Sequence, residues 1–203
     1  MLVSFVSKLE NALNLPLPGK EAHRVMSPMR RFPFQKSPNI LHCKISAVMI
    51  LLYEKSGSIH IPIIVRPTYD GFHSGQLSLP GGKREIDDSD NLATALRETE
   101  EEIGIKPEEI TVIGALTNLY IPKSNFMVYP FVGYIKGTPK FVTDNTEVDT
   151  LLEIPLSMLT DENRGNYHFS AGDIEIDAPC WKIESHNLWG ATAMILSELK
   201  ALV

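Results

Sequence analysis

Three glutamates, Glu98, Glu101 and Glu102, stand in the run Arg97-Glu98-Thr99-Glu100-Glu101-Glu102-Ile103-Gly104-Ile105. At 100° per residue, Leu92, Leu96, Thr99 and Ile103 share one stripe, the core face of a helix, and the three glutamates point away from it together. Like charges at i,i+4 repel by roughly 0.2–0.5 kcal/mol. Carboxylates in the last turns also oppose the helix dipole, at roughly 0.3–1 kcal/mol each. Taken alone, such a run is most simply a solvated helix face. A bound cation offsets both costs, and an oxygen-only carboxylate set suits Mg2+ or Mn2+. Arg97 lies four residues before Glu101, where it orients a carboxylate.

The elements that must position these groups are legible around them. The helix stops where Gly104 takes the left-handed position, Ile105 folds back and Pro107 forbids continuation. Its N-cap is Ser89 or Asp90, at the end of the acidic loop Glu85 to Asp90. Upstream, Gln76 to Leu79 reads as a short strand ending at Pro80-Gly81-Gly82, and the paired glycines let backbone approach a ligand closely. Lys44 to Tyr53 and Ile59 to Val65 read as a hairpin about Ser56-Gly57-Ser58, with Pro62 marking an edge or bulge. Further strands are Thr111 to Leu119, Met127 to Ile135 and Val148 to Ile154, followed by a helical turn at Pro155 to Leu159. Tyr167 to Ile176 and Pro179 to Ile183 read as a second hairpin, and a helix from about Trp189 to Leu202 closes the chain. An amphipathic helix ends near Asn14, and residues 19 to 40 read as a polar surface wrap. The layout is an α/β sandwich with a mixed β-sheet, residues 1–38 forming an N-terminal helix and extension and 39–203 the domain.

From Gly82 to Ile105 the pattern resembles the signature box of the Nudix hydrolases, a glycine, a glutamate six on, then R-E-aliphatic-x-E-E-x-G-aliphatic. Arg97, Glu98, Glu101, Glu102, Gly104 and Ile105 match position for position. Two positions depart. Gly82 to Arg97 is fifteen positions, one more than the common box, so Asp88 matches the first carboxylate, and Thr99 replaces a bulky aliphatic. His73-Ser74-Gly75-Gln76-Leu77-Ser78-Leu79-Pro80-Gly81-Gly82, ahead of the box, and His186-Asn187-Leu188-Trp189-Gly190-Ala191-Thr192-Ala193, near the end, are similar to the coenzyme A pyrophosphatase branch, which carries the same longer box. That branch usually has Leu-Arg upstream of the histidine, where this chain has Asp70-Gly71.

The resemblance implies a Nudix-type α/β/α sandwich and metal-dependent hydrolysis of a nucleoside diphosphate linked to another group. Mg2+ or Mn2+ held by Glu98, Glu101 and Glu102 is then expected to neutralise diphosphate oxygens and acidify water, with Glu101 or Glu102 as general base and Arg97 orienting them. The Gly82 carbonyl completes a metal shell, and Glu147 is similar to a carboxylate that some members use as an extra ligand or base. Arg66, Lys83, Arg84 and Lys123 are candidate phosphate contacts, and His73 and Gln76 candidate substrate contacts from the upstream motif. The branch implies coenzyme A as substrate, giving 4'-phosphopantetheine and adenosine 3',5'-bisphosphate. ADP-ribose or another dinucleotide is the alternative, and a non-catalytic nucleotide-binding module is opposed by the intact glutamate set.

Bulk properties bound the rest. The chain has 203 residues, 43% hydrophobic and 22% charged, with a formal net charge of -6. That balance argues against duplex nucleic acid and anionic membrane as partners, which need a basic face. Cys43 and Cys180 fit no zinc spacing and no disulfide framework, which implies a reducing, cytoplasmic setting. The first fifteen residues lack the uninterrupted apolar stretch of a secretory signal, and no segment has the apolar length of a membrane span. The apolar stripe Leu2, Phe5, Val6, Leu9 and Leu13 fits packing on the domain or on a second subunit, as in a homodimer. Trp189, Tyr129, Phe131 and Tyr134 read as core.

Overall fold

The computed structural model describes residues 1–28, 42–67, 75–171 and 174–203. Two helices open the chain, α1 (Leu2–Leu13) and α2 (Gly19–Val25). They are followed by β1 (Lys44–Lys55), β2 (Ser58–Val65), β3 (Leu77–Ser78), β4 (Gly81–Lys83) and α3 (Asn91–Ile103). Next come β5 (Thr111–Ala115), β6 (Leu119–Ile121), β7 (Phe126–Tyr134) and β8 (Thr150–Pro155), with a 3-10 turn at Leu156–Met158. The hairpin β9 (Arg164–Ala171) and β10 (Ile174–Ile183) is extended by β11 (His186–Trp189), and α4 (Gly190–Lys200) ends the chain.

The main sheet runs β3-β2-β1-β7-β5, with β4 on β1, β6 on β7 and β8 on β2. The pairing of β1 with β7 is parallel over Lys44 to Leu52, and the other ladders of this sheet among the described residues are antiparallel, which makes the sheet mixed. The apolar run of β1 has a two-sided explanation. Ala47, Met49 and Leu51 enter a cluster with Ala95 and Ile103 of α3, whereas Ile50 and Leu52 enter a larger cluster with α1 and α4. A strand buried on both faces needs no polar alternation. This is the α/β/α sandwich expected from the sequence.

The β1–β2 turn is tight because Ser56 and Gly57 both adopt positive φ, 50° and 75°. Pro62 lies in neither a bulge nor an edge strand. β8 pairs it through Glu153, while on the opposite side pairing with β1 reaches only to His60 and pairing with β3 begins at Ile64. Proline, lacking an N–H, occupies the stretch where that flank has no partner. Pro179 repeats the device inside β10. It faces Asn166 of β9, and the β11 ladder starts one residue later at Cys180.

Several boundaries differ from the sequence reading. Within the segment read as a surface wrap, α2 is a helix, and Met26 after it is fully buried. β10 begins at Ile174, so the second hairpin turns earlier than expected, and β11 is an additional strand. Trp189 packs with Phe169 and Tyr167, ring centroids 4.5 Å and 5.7 Å away, on the three-stranded sheet and not within the two apolar clusters.

The apolar stripe of α1 packs on the domain itself, with Leu2, Val6 and Leu9 in the larger cluster. α2 is tied down by a buried carboxylate from α4. Glu198 accepts hydrogen bonds from the Gly19 amide (3.0 Å), the Thr117 amide (3.1 Å) and the Thr117 hydroxyl (2.6 Å), and lies 2.9 Å from His23 Nε2. Burial raises the Glu198 pKa, but the bonds from His23 and Thr117 outweigh it and leave the carboxyl lowered. No helix among the described residues is long and apolar enough to cross a membrane.

Candidate metal centre

α3 carries the acidic residues, and its ends are fixed as the sequence indicates. Asp90 is the N-cap, accepting from the Ala93 amide at 2.8 Å. Gly104 closes the other end at φ 71°, and its amide donates to the Glu100 carbonyl at 2.9 Å. Thr99 is fully buried on the core stripe, and its hydroxyl is satisfied by the Ala95 carbonyl at 2.6 Å. A threonine thus replaces an aliphatic without leaving a buried donor unpaired.

The three glutamates do not share one environment. Glu102 is only 1% exposed, and its Oε2 accepts from the Gly81 amide at 2.8 Å. Glu98, one turn earlier, is half-buried over Gly82. Carboxylate oxygens of Glu98, Glu102 and Glu147 lie within 4.8 Å of one another. Glu101 is exposed, sits outside that set, and holds Arg97 Nη1 at 2.7 Å. Helical periodicity treats all three as polar, but Glu98 and Glu102 form a stripe against β4 while Arg97 and Glu101 form the neighbouring stripe toward solvent.

Gly82 has a steric reason to be glycine. A Cβ there would overlap the carboxylate of Glu98. Gly81 has another, because its φ of 148° and the Ala47 carbonyl and Val48 Cα leave no room for a side chain. Both glycines are pinned to the central strand, Gly81 opposite Val48 and Gly82 opposite Ala47.

Arg97 is the hub of the charged network. Its Nε and Nη2 donate to the two Asp88 oxygens at 3.0 and 3.1 Å, and Nη2 also reaches the Lys83 carbonyl at 3.1 Å and Glu98 Oε1 at 3.0 Å. Asp88 further accepts from the Glu85 amide and the Thr94 hydroxyl, each at 2.9 Å. The Arg97 guanidinium, aided by these donors, holds the Asp88 carboxyl well below the usual range despite its burial. Asp88 in return raises the Arg97 pKa further. The opposite holds within the carboxylate set. Burial pushes Glu102 up to about 7, against the Gly81 hydrogen bond and the Arg66 charge, and burial likewise raises Glu98. Paired acids that resist ionisation together are the electrostatic complement of a cation.

Among the remaining sequence candidates, Arg66 is half-buried beside the set, 3.3 Å from the Gly81 carbonyl and 3.8 Å from Glu102 Oε1. The Gln76 carbonyl accepts from the Arg66 amide at 3.1 Å. Lys83 is exposed at the end of β4, and Lys123 is exposed in the β6–β7 turn. Arg84 does not face the set. It closes the acidic loop by donating to Asn91 Oδ1 and to the Asp88 and Ser89 carbonyls, each at 3.2 Å. His73 lies outside the described residues. Thr94 and Asp144 were not singled out from the sequence. Asp144-Asn145-Thr146 carries the side-chain turn signal that would have marked the second.

An acidic helix laid against a glycine strand, on a mixed sheet covered on both faces, defines a class of fold and site. Residues 44–171 match the NUDIX domain family. The chain belongs to that family. It is 33% identical over 182 residues to "Nudix hydrolase 15, mitochondrial" of Arabidopsis thaliana, covering 81% of this chain and 60% of that protein. It is 34% identical over 156 residues to "Mitochondrial coenzyme A diphosphatase NUDT8" of Homo sapiens, covering 75% and 62%. A Nudix hydrolase named NudL from Yersinia pestis (strain Pestoides F) is 33% identical over 160 residues, covering 71% and 78%. The chain thus spans about three fifths of the length of the first two relatives. The crystal structure of a MutT/nudix family protein from Enterococcus faecalis shares the fold, with a TM-score of 0.50 at 17% identity over 85% of this chain and 62% of that one.

Proposed function

We propose that this Nudix protein is a divalent-metal-dependent pyrophosphohydrolase acting on coenzyme A or its acyl forms, giving phosphopantetheine and adenosine 3',5'-bisphosphate. The observation that carries the chemistry is the convergence of Glu98, Glu102 and Glu147 within 4.8 Å over Gly82, where a Cβ would overlap the Glu98 carboxylate. An all-oxygen, multiply acidic donor set fits Mg2+ or Mn2+. The narrowing to coenzyme A is supported by the His73 to Gly82 motif and by the relative named a coenzyme A diphosphatase. Asp70-Gly71 in place of Leu-Arg favours keeping ADP-ribose or another dinucleotide as the second reading.

In this reading Glu98, Glu102 and Glu147 hold the metal, and the Gly82 carbonyl adds an oxygen. When bound, the cation neutralises diphosphate oxygens, lowers the pKa of water and stabilises the leaving phosphate. Arg97 locks Glu98 and Glu101 in place while Asp88 locks Arg97. Glu101 lies on the solvent side and outside the metal set, so we assign it the proton from the attacking water. Arg66, beside Gly81, meets a phosphate oxygen, with Gln76, Lys83 and His73 as further substrate contacts. The two thiols, which form no disulfide, support a reducing setting such as the cytoplasm.

The test is a panel of coenzyme A, acetyl-coenzyme A, ADP-ribose and dinucleotides, with Mg2+ and with Mn2+, and with products identified. Cleavage of ADP-ribose with coenzyme A left intact sinks the substrate assignment. Glu102→Gln is expected to lose Mn2+ binding, and Glu101→Gln to keep it while kcat falls about 10²-fold or more. An unchanged kcat in Glu101→Gln removes it as the base.

A further inference from the structure

Glu147 is an exposed side chain on the irregular stretch between β7 and β8, yet its carboxylate meets those of two α3 residues. Irregular segments carry little order of their own, so something must fix it. Two contacts tie the stretch to the helix. The Val142 amide donates to the Ile103 carbonyl at 3.0 Å, and the Asp144 amide to the Glu102 carbonyl at 3.2 Å. These carbonyls belong to the last turn of α3, where no intrahelical partner exists. The stretch therefore caps the helix that carries Glu98 and Glu102.

From that anchor, donors of Thr146, Glu147 and Val148 converge on Asp144. Its Oδ1 accepts from the Thr146 amide at 2.8 Å and the Thr146 hydroxyl at 2.7 Å. Its backbone carbonyl accepts from the Glu147 amide at 3.1 Å and the Val148 amide at 2.8 Å. Val148 is buried, and the Asp149 amide then joins the Val65 carbonyl of β2 at 2.9 Å. Glu147 is thus held between a helix-anchored point and a sheet-anchored point.

We propose that Asp144, through its turn with Thr146, is the positioning residue that holds Glu147 in the metal set, an inference that rests on the metal reading of Glu98, Glu102 and Glu147. Asp144 orients the ligand as outer-shell groups do. Because the anchor is the end of α3, the third carboxylate moves with the other two.

The experiment is calorimetric Mn2+ titration of the metal-free full chain, with amide hydrogen exchange at Thr146 to Val148 in the absence of metal. Asp144→Ala is expected to weaken Mn2+ about 10- to 100-fold, to the level of Glu147→Gln, and to speed exchange at these amides. The double variant is expected to bind no more weakly than Glu147→Gln alone, because both changes remove one contribution. Asp144→Asn keeps the Oδ1 acceptor and is expected to restore both readouts. Unaltered Mn2+ affinity in Asp144→Ala alongside a weakened Glu147→Gln overturns the positioning role, as does an additive double variant. Unaltered affinity in Glu147→Gln itself overturns the metal reading of that residue and the inference together.

Discussion

Replacement of Gly82 by alanine tests the candidate metal centre apart from the fold. A Cβ at Gly82 falls nearer to the Glu98 carboxylate than the 3.0 Å that real Cβ atoms keep. Such contacts relax only near roughly 3.5 Å, so the carboxylate must retreat by about 1 Å. Its Oε1 is also held by Arg97 at 3.0 Å, so retreat disturbs that pair as well. A misplacement of about 1 Å costs on the order of 10²-fold in rate, equivalent to roughly 2.7 kcal/mol of barrier. Gly82 is not among the positive-φ glycines, so alanine fits its backbone without strain. The expected result is a folded protein whose melting temperature stays near that of the unaltered chain, whose Mn2+ affinity falls, and whose kcat on the best panel substrate falls about 10²-fold. Gly81→Ala is the contrast, since it strains a φ of 148° and strikes the β1 backbone, and it is expected to lose the fold. A folded Gly82→Ala that binds Mn2+ and turns over within about threefold of the unaltered chain refutes the packing argument.

Three further outcomes follow from other parts of the molecule. Glu198→Ala strands the donors of Gly19, Thr117 and His23 in a buried site, and a loss of about 3–5 kcal/mol is expected. For a chain of this size that is a fall of roughly 6–20 °C in melting temperature, and a fall under about 3 °C would show that the lock contributes little. Asp88 and Glu198 both have lowered folded-state pKa values, so their stabilisation is complete above the unfolded value near 4 and disappears as pH falls below it. Urea unfolding from pH 5 to pH 2 is expected to show a shallower acid loss in Asp88→Asn, and an unchanged slope counts against the Arg97–Asp88 network. Finally, Mn2+ at about 100 times its dissociation constant is expected to stabilise the metal-free chain by about 2.7 kcal/mol in chemical unfolding, and Glu98→Gln to lose most of that gain at the same concentration.

Much of the architecture around the site was legible because local signals coincided there. Asp90, Gly104 and Pro107 delimit α3 by capping chemistry, and Ser56-Gly57 sets the first hairpin. What escaped the sequence was decided by tertiary contacts. α2 is short and begins with a glycine after a proline, so propensity gives it little. Its order comes from Glu198, far along the chain. β11 follows a tight turn at Glu184, and its four residues carry no alternation to detect. The separation of Glu101 from Glu102 escaped because periodicity assigns faces but not the neighbour each face meets. Glu102 meets the Gly81 amide and is buried, and Glu101 meets Arg97 and is not. Pro62 was read as marking an edge or bulge and Pro179 as the start of a strand, whereas partial pairing on one flank lets β2 and β10 run through them.

The family match begins at residue 44, but cooperativity does not begin there. Leu2, Val6, Leu9 and Met26 lie in the same core as β1 and α4, and the anion of Glu198 is met by groups from Gly19 and His23. Homology and physical integrity therefore draw different borders on this chain. A protease cut between α2 and β1 leaves the family-defining residues untouched, yet once the severed segment departs, it exposes an apolar surface and leaves a charge with two of its partners gone. Loss of the first helices then weakens the whole unit without altering any residue of the candidate metal centre.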